Sequence, residues 1–226
     1  MCTLIILNGL PGPWPVILAA NRDEFLDRPA GPFRYWTGDH VGFLAPVDLR
    51  AGGTWIGVNE EGVGAAITNR YGFPPDPTRR SRGEIVPMAL GEANVETSIE
   101  KLSSLNASEY NPFHLLVASR DRAAILWSDG KTIHRSILKP GYSLVTEQSF
   151  EAAPHGREQH LKKALGNCPS KSRMQELLAG KAAEHEGALM SIPNMNYGTR
   201  SSTLIEEGIL VIGLTKRELG QLERRR

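Results

Sequence analysis

Short apolar runs of strand length, bounded by turn residues, fill this sequence and limit what it can fold into. "CTLIILN" and "PVILAA" are separated by "GLPGPW", whose Gly and Pro suit a turn and no regular element. "TWIGVN" and "GVGAAITN" flank "EEG", where Gly62 can supply the positive φ that tight hairpin loops favour. Later, "FHLLVASR", "AAILWSD", "KTIHRSIL" and "YSLVTE" repeat the pattern, with Asp129-Gly130 marking another hairpin turn. "RSSTLIEE" and "ILVIGLT", joined at Gly208, predict a closing hairpin.

Two stretches break the strand texture. Ile99, Leu102 and Leu105 recur at helical spacing within "EIVPMALGEANVETSIEKLSSL", which predicts two short helices broken near Gly91. A second helical block is expected from about His155 to Glu186, with Ser172 and Gln175 as a capping box ahead of Leu177 and Leu178. Strands, helices, strands, helices and strands joined by hairpins predict an α+β sandwich of antiparallel sheets with segregated helices, not a βαβ alternation. The 226 residues show no linker or charge block, so a single domain over 1–226 is expected.

Composition narrows the partners. Twenty-six Lys and Arg against 25 Asp and Glu give a formal net charge of +1, which supplies no global field toward nucleic acid or an anionic membrane. The apolar runs are far shorter than the ~20 residues of a membrane helix, and no basic residue precedes "TLIIL". With only Cys2 and Cys168, both expected as reduced thiols, the expectation is a cytoplasmic protein with no membrane span.

Cys2 carries the chemistry. If Met1 is removed, as a small second residue permits, Cys2 gains a free α-amine on the same residue as its thiol. An α-amine titrates at about 7.7–8.0 and a thiol at about 8.5, so a proton passes between them at little cost near neutral pH. Such a nucleophile still needs an acidic group to orient the amine and donors for a developing oxyanion. "AANRDEF" supplies Asn21, Arg22, Asp23 and Glu24 where an apolar strand ends, a place that an antiparallel neighbour brings beside the start of the first strand. An ordinary solvated strand end is the competing reading of those four residues.

"MCTLIIL", "AANRDEFLDRPA", "AGGTWIGVNEEGVGAAITNRYG", "RSRGEIV", "NPFHLLV" and "YGTRSST", in this order and nearly end to end, resemble the NRDE (transport and Golgi organisation protein-like) family. The arrangement is also similar, more distantly, to the N-terminal-nucleophile hydrolases of the choloylglycine hydrolase and penicillin acylase kind. The resemblance implies a four-layer αββα sandwich of two antiparallel sheets and an amide hydrolase. By position it implies Cys2 as nucleophile, Asp23 as the carboxylate orienting its amine, Arg22 in the region of an active-site arginine, Asn69 as oxyanion donor and Arg200 as a late arginine of the site. Asn21 and Thr146 are the expected substrate contacts. At Thr146, in "YSLVTE", those hydrolases carry a second asparagine, and a hydroxyl cannot present an amide's separate donor and acceptor.

Other signals are weaker. "AGGTW" lacks the Lys-Ser/Thr of a phosphate loop, and the six histidines show no pairing suited to zinc, so neither metal nor cofactor is expected. Arg79, Arg80 and Arg82 form a basic cluster that is either a solvated loop or a grip for a phosphate or carboxylate. Cys168-Pro169 reads as a helix stop, with haem ligation as the alternative, and Arg224–Arg226 as a frayed tail. The expected function is hydrolysis of a non-peptide C–N amide bond of a small-molecule substrate. The alternative is a non-catalytic protein that binds or traffics haem, an acyl-coenzyme A or a lipid.

Overall fold

The first eight residues of β2 (Val16–Phe25) are all buried, without the alternation of a half-exposed strand. A strand reads this way when both faces of its sheet are covered, and that is its position in the computed structural model, which describes residues 2–9, 16–72, 74–149, 156–167, 169–180, 187–206 and 209–211. Among these residues β1 (Thr3–Asn8) lies between β2 and β10 (Gly141–Thr146), while β12 (Tyr197–Glu206) covers the other edge of β2. β11 (Ser191–Ile192) and β13 (Ile209–Val211) both pair with β12. A second sheet runs in chain order through β3 (Ala30–Trp36), β4 (Phe43–Asp48), β5 (Ile56–Asn59), β6 (Gly64–Asn69), β7 (Phe113–Ala118), β8 (Ala123–Ser128) and β9 (Ile133–Ile137). Every ladder between these strands is antiparallel.

Three apolar layers hold the sheets and helices together. Leu4, Leu18, Ile56, Leu116 and Ile125 meet between the two sheets. On the outer face of the second sheet, Phe43, Leu115 and Leu126 pack on α1 (Ile85–Leu90) and α2 (Val95–Ser103). On the outer face of the first, Ile5 and Leu144 pack on α3 (Gly156–Leu165) and α4 (Lys171–Ala179) through Leu161, Met174 and Leu178. The period of two sends Leu4 and Ile6 inward and Ile5 and Leu7 to the helices, so successive residues of one strand serve different layers. The result is the expected α+β sandwich, with helices outside two antiparallel sheets.

Local signals explain most boundaries. Gly62 and Gly130 take φ of 79° and 86° in the hairpins predicted for them. The α1–α2 break falls at Gly91, and Asn94 caps α2 by accepting from Thr97 N at 2.9 Å. The cap of α4 differs from expectation. Ser170, not Ser172, accepts from Arg173 N at 3.2 Å, because the helix starts two residues earlier, directly after Pro169 and Ser170. The link at 10–15, Cys168, Gly208 and 224–226 lie outside the described residues. No described helix is long and apolar enough to cross a membrane.

Candidate active site

The β1–β2 register pairs Thr3 with Asn21, and the β1–β10 register pairs Thr3 with Thr146, so Cys2 stands one step beyond the end of both ladders. It lines an open cleft of about 600 Å³ together with Arg22, Asp23, Thr68, Asn69 and Arg82. The Cys2 Sγ–H donates to the Asp23 main-chain carbonyl at 3.8 Å, and that carbonyl also accepts from the Tyr197 hydroxyl at 2.8 Å. Thr68, buried at the end of β6, lies within hydrogen-bonding reach of the thiol. Burial raises the thiol pKa above its ordinary value, and the Asp23 charge pushes in the same direction.

Asp23 is 3% exposed. Thr199 Oγ1 donates to its Oδ1 at 2.6 Å. Its Oδ2 is 3.7 Å from Arg157 Nη2 and accepts no hydrogen bond from the described residues. Desolvation raises the carboxyl pKa to about 7, against the opposing pull of the Thr199 hydroxyl and the Arg157 charge. Arg157, itself buried on α3, also donates to Thr3 Oγ1 at 2.7 Å and to Glu147 at 3.0 Å. One buried guanidinium therefore ties the helix layer to Asp23 and to the strand that begins after Cys2.

A bulge in β12 sets the Thr199 contact. Thr199 pairs with Asp23 and Ser201 with Arg22, which leaves Arg200 as the extra residue. The Arg200 guanidinium turns away and donates to the Leu26 carbonyl, so it braces the corner after β2 and does not line the cleft.

Arg22 is on the cleft side of β2. Its guanidinium lies over the Trp55 ring, 4.4 Å from the centroid, and 4.0 Å from Asp48 Oδ2. Asp48 is already engaged by Arg28, at 2.6 and 2.9 Å, and by the backbone N–H groups of Arg50 and Ala51. The loops that bring these groups in touch at Gly53, where a Cβ would lie 2.4 Å from the Gly83 carbonyl oxygen. The "AGGTW" glycine thus serves a close backbone approach that shapes one wall of the cleft.

Cys2, Arg22, Asp23 and Asn69 converge on this one cleft. Asn21 and Thr146 stand apart from it. Asn21 donates to the Leu178 and Ala188 carbonyls, both at 2.9 Å, and accepts from Ser202 at 2.6 Å, so its amide is consumed in joining β2 to α4 and β12. Thr146 is fully buried, and its Oγ1 accepts from Gln148 N in its own turn at 3.3 Å. The expected substrate contacts of these two residues are corrected accordingly: both face away from the cleft because their strand positions point toward the helix layer. His114, buried on β7 with a ring nitrogen 2.6 Å from the Ser149 carbonyl, is held neutral down to about 4 by desolvation.

Thr199, Arg157 and Thr68 were not singled out as site residues by the sequence, whereas Arg82 belongs to the basic cluster read there as either a solvated loop or an anion grip, and it lines the cleft with Arg79 and Arg80. Thr199 adjoins Arg200 inside a family-like segment, and that adjacency is the one available signal. Among the described residues no group of three or more His, Cys, Asp or Glu is placed to hold a metal ion.

Comparison with known proteins agrees with this architecture. The chain is 37% identical over 46% of its length to the mouse Transport and Golgi organization 2 homolog and 35% identical over 56% to the bovine homolog, covering 38% and 48% of those proteins. It therefore spans less than half the length of these relatives. Its fold is similar to that of a Caenorhabditis elegans N-acylethanolamine-hydrolyzing acid amidase ortholog, with a TM-score of 0.64 at 14% identity over 92% of this chain and 94% of that one. A penicillin V acylase from Agrobacterium tumefaciens gives 0.54 at 15% identity over 92% and 80%. The conjugated bile acid hydrolase of Clostridium perfringens gives 0.54 at 11% over 91% and 86%. The sandwich is thus the fold that these three proteins share. The sequence profile of the Transport and Golgi organisation 2 family matches residues 1–207, and the chain belongs to that family.

Proposed function

We propose that the protein hydrolyses a non-peptide amide bond with Cys2 as an N-terminal nucleophile. The observation that carries this reading is Asp23 Oδ2, a buried carboxylate oxygen with no hydrogen-bond donor among the described residues, beside a cysteine that becomes the amino terminus once Met1 is removed. An α-ammonium on Cys2 is the donor this oxygen lacks, and it lowers the cost of burying the charge.

In the reaction the α-amine takes the thiol proton and the thiolate attacks the amide carbonyl carbon. Negative charge passes to the carbonyl oxygen, where Asn69 and backbone N–H groups stabilise it. The α-ammonium gives its proton to the amine nitrogen as the C–N bond breaks, leaving a thioester on Cys2. Water, deprotonated by the same amine, then releases the acid. Arg22 and Arg82 favour the thiolate by charge, opposing the effect of burial. Fold neighbours named as an acid amidase, an acylase and a hydrolase support this class of reaction.

A panel of N-acyl amides, including an N-acylethanolamine and a conjugated bile acid, provides the test. At least one member is cleaved by the wild type, and cleavage is lost in Cys2→Ala. Full turnover in Cys2→Ala ends the reading. One observation favours a second reading, the binding or trafficking of haem, an acyl-coenzyme A or a lipid without catalysis. Asn69 is the one asparagine side chain of the cleft's β6 rim among the described residues, and position 146, where the resemblance implies a second asparagine, is a threonine turned to the helix layer. Binding of haem or acyl-coenzyme A with no turnover of any amide and no change in Cys2→Ala selects this reading.

A further inference from the structure

The cleft holds more arginine than its own carboxylates use. Arg28 is paired with Asp48 and Glu24, Arg79 with Asp76, and Arg80 with Glu84 and Glu109. Arg22 differs from these. Its side chain is only 6% exposed, yet neither Nη1 nor Nη2 has a hydrogen-bond partner among the described residues; Asp48, 4.0 Å away, is saturated by Arg28 and two backbone N–H groups, and Glu24, whose charge also acts on Arg22, is paired with Arg28. A buried guanidinium with two idle donors is costly unless something occupies them. Trp55 covers one face of the group, so its donors point along the guanidinium plane, where a planar two-oxygen partner fits. Arg82, which gives one Nη to the Pro112 carbonyl at 2.9 Å, adds a second half-buried cation to the same cleft, and both arginines interact electrostatically with Cys2.

We propose that Arg22, supported by Arg82, is a carboxylate-binding site beside the nucleophile, and that the substrate is an amide with a carboxylate close to the scissile bond, as in an N-acyl amino acid. This substrate class rests on the amidohydrolase reading, whereas the carboxylate site does not. The position explains why the carboxylate must be near the reacting carbonyl. Cys2 is the next position after Thr3 in a ladder that pairs Thr3 with Asn21, so it stands across from Arg22 with both side chains in one cleft. An N-acyl amino acid places its carboxylate on the carbon bonded to the leaving nitrogen. A neutral N-acyl amine of equal length leaves the Arg22 donors empty.

Alkylation of Cys2 tests the site without any turnover. Iodoacetate and iodoacetamide deliver nearly isosteric groups, one with a carboxylate and one without, so their rate ratio at one pH is independent of how much thiolate is present. The ratio of iodoacetate to iodoacetamide rates at Cys2, followed by peptide mass spectrometry, is expected to exceed that of the urea-unfolded protein by about tenfold, the worth of a charge-assisted pair. Arg22→Gln brings the ratio back to the unfolded value. If Arg22 serves only as the thiolate's counter-ion, both reagents slow together in Arg22→Gln and the ratio stays fixed, which overturns the proposal. A wild-type ratio equal to the unfolded value overturns it with no need of a variant.

Acetate protects Cys2 from iodoacetamide more strongly than inorganic phosphate does. The reverse order contradicts a carboxylate site. For the substrate class, kcat/KM for an N-acylglycine falls in Arg22→Gln about tenfold further than kcat/KM for the matching N-acylethanolamine. Equal losses overturn the substrate class and leave the hydrolase reading intact. Absence of turnover for every amide, with a raised alkylation ratio, removes that reading and retains the carboxylate site.

Discussion

Thr199 Oγ1 donates a 2.6 Å hydrogen bond to Asp23 Oδ1 across the β12–β2 ladder, at the last pair before the bulge that displaces Arg200. This contact orients one oxygen of the carboxylate and leaves the other open. Replacing Thr199 by Val keeps the shape and removes the donor. The expected cost is about 1–3 kcal/mol, since the partner is a buried acid. Losing the bond also pushes the Asp23 pKa further above about 7, so the acidic limb of any amide turnover moves to higher pH. Thermal unfolding and a pH–rate profile of Thr199→Val check both effects.

Arg157 holds three buried elements at once, through Asp23, Glu147 and Thr3. Its removal in Arg157→Met leaves two buried carboxyl groups without their cation. Destabilisation of about 3–5 kcal/mol is expected, as for a broken buried ion pair. Denaturant unfolding measures it, and a loss below about 1 kcal/mol contradicts the described network.

The Asp23 carboxyl gives stability a particular pH dependence. Its folded pKa of about 7 lies above an unfolded value of about 3.9, so between these values the folded protein binds the extra proton. Its contribution is complete below about pH 4 and is lost as pH rises through about 7. In a chain whose amino terminus is extended by a tag, so that Cys2 carries no α-amine, wild type therefore loses stability relative to Asp23→Asn over this window. In the chain freed of Met1, the α-ammonium favours the carboxylate and flattens the difference. Melting temperatures of both pairs between pH 4 and 8 read the two slopes.

Asn69 is exposed at the end of β6 and lines the cleft. An oxyanion donor there predicts that Asn69→Ala lowers kcat by about 10²–10³-fold. Its exposure predicts a stability change within about 0.5 kcal/mol. Steady-state kinetics and thermal unfolding separate the two, and unchanged kcat removes Asn69 from the mechanism.

Much of this arrangement was legible in the sequence. Apolar runs such as Leu4–Leu7 and Ile17–Ala20, with the glycine turns at 62 and 130, gave the strands of both inner layers, because burial on two faces leaves an unbroken apolar signal. β3 carries no such signal. It is an edge strand with only partial burial, where Gly31, Pro32 and Arg34 interrupt Ala30, Phe33, Tyr35 and Trp36. At the cleft, Cys2 and Asp23 were named from the sequence because an amino-terminal nucleophile calls for a thiol with an acidic group beside its amine, and because the family resemblance implies both. Arg157 was not, since a lone arginine in a polar helix looks like any solvated one until packing buries it. The roles of Asn21 and Thr146 depended on which face of the sheet each side chain takes, and strand period alone does not say which face borders the cleft.

Peptide mass spectrometry of the amino terminus, after acid quench of the protein with an N-acyl amide it cleaves, tests the central assignment most directly. The account predicts an N-terminal peptide that begins at Cys2 and carries the acyl group on the Cys2 sulfur, and no acylated peptide in Cys2→Ala. An active protein that retains Met1, or one that turns over with the acyl group never found on Cys2 and the rate unchanged in Cys2→Ala, contradicts it.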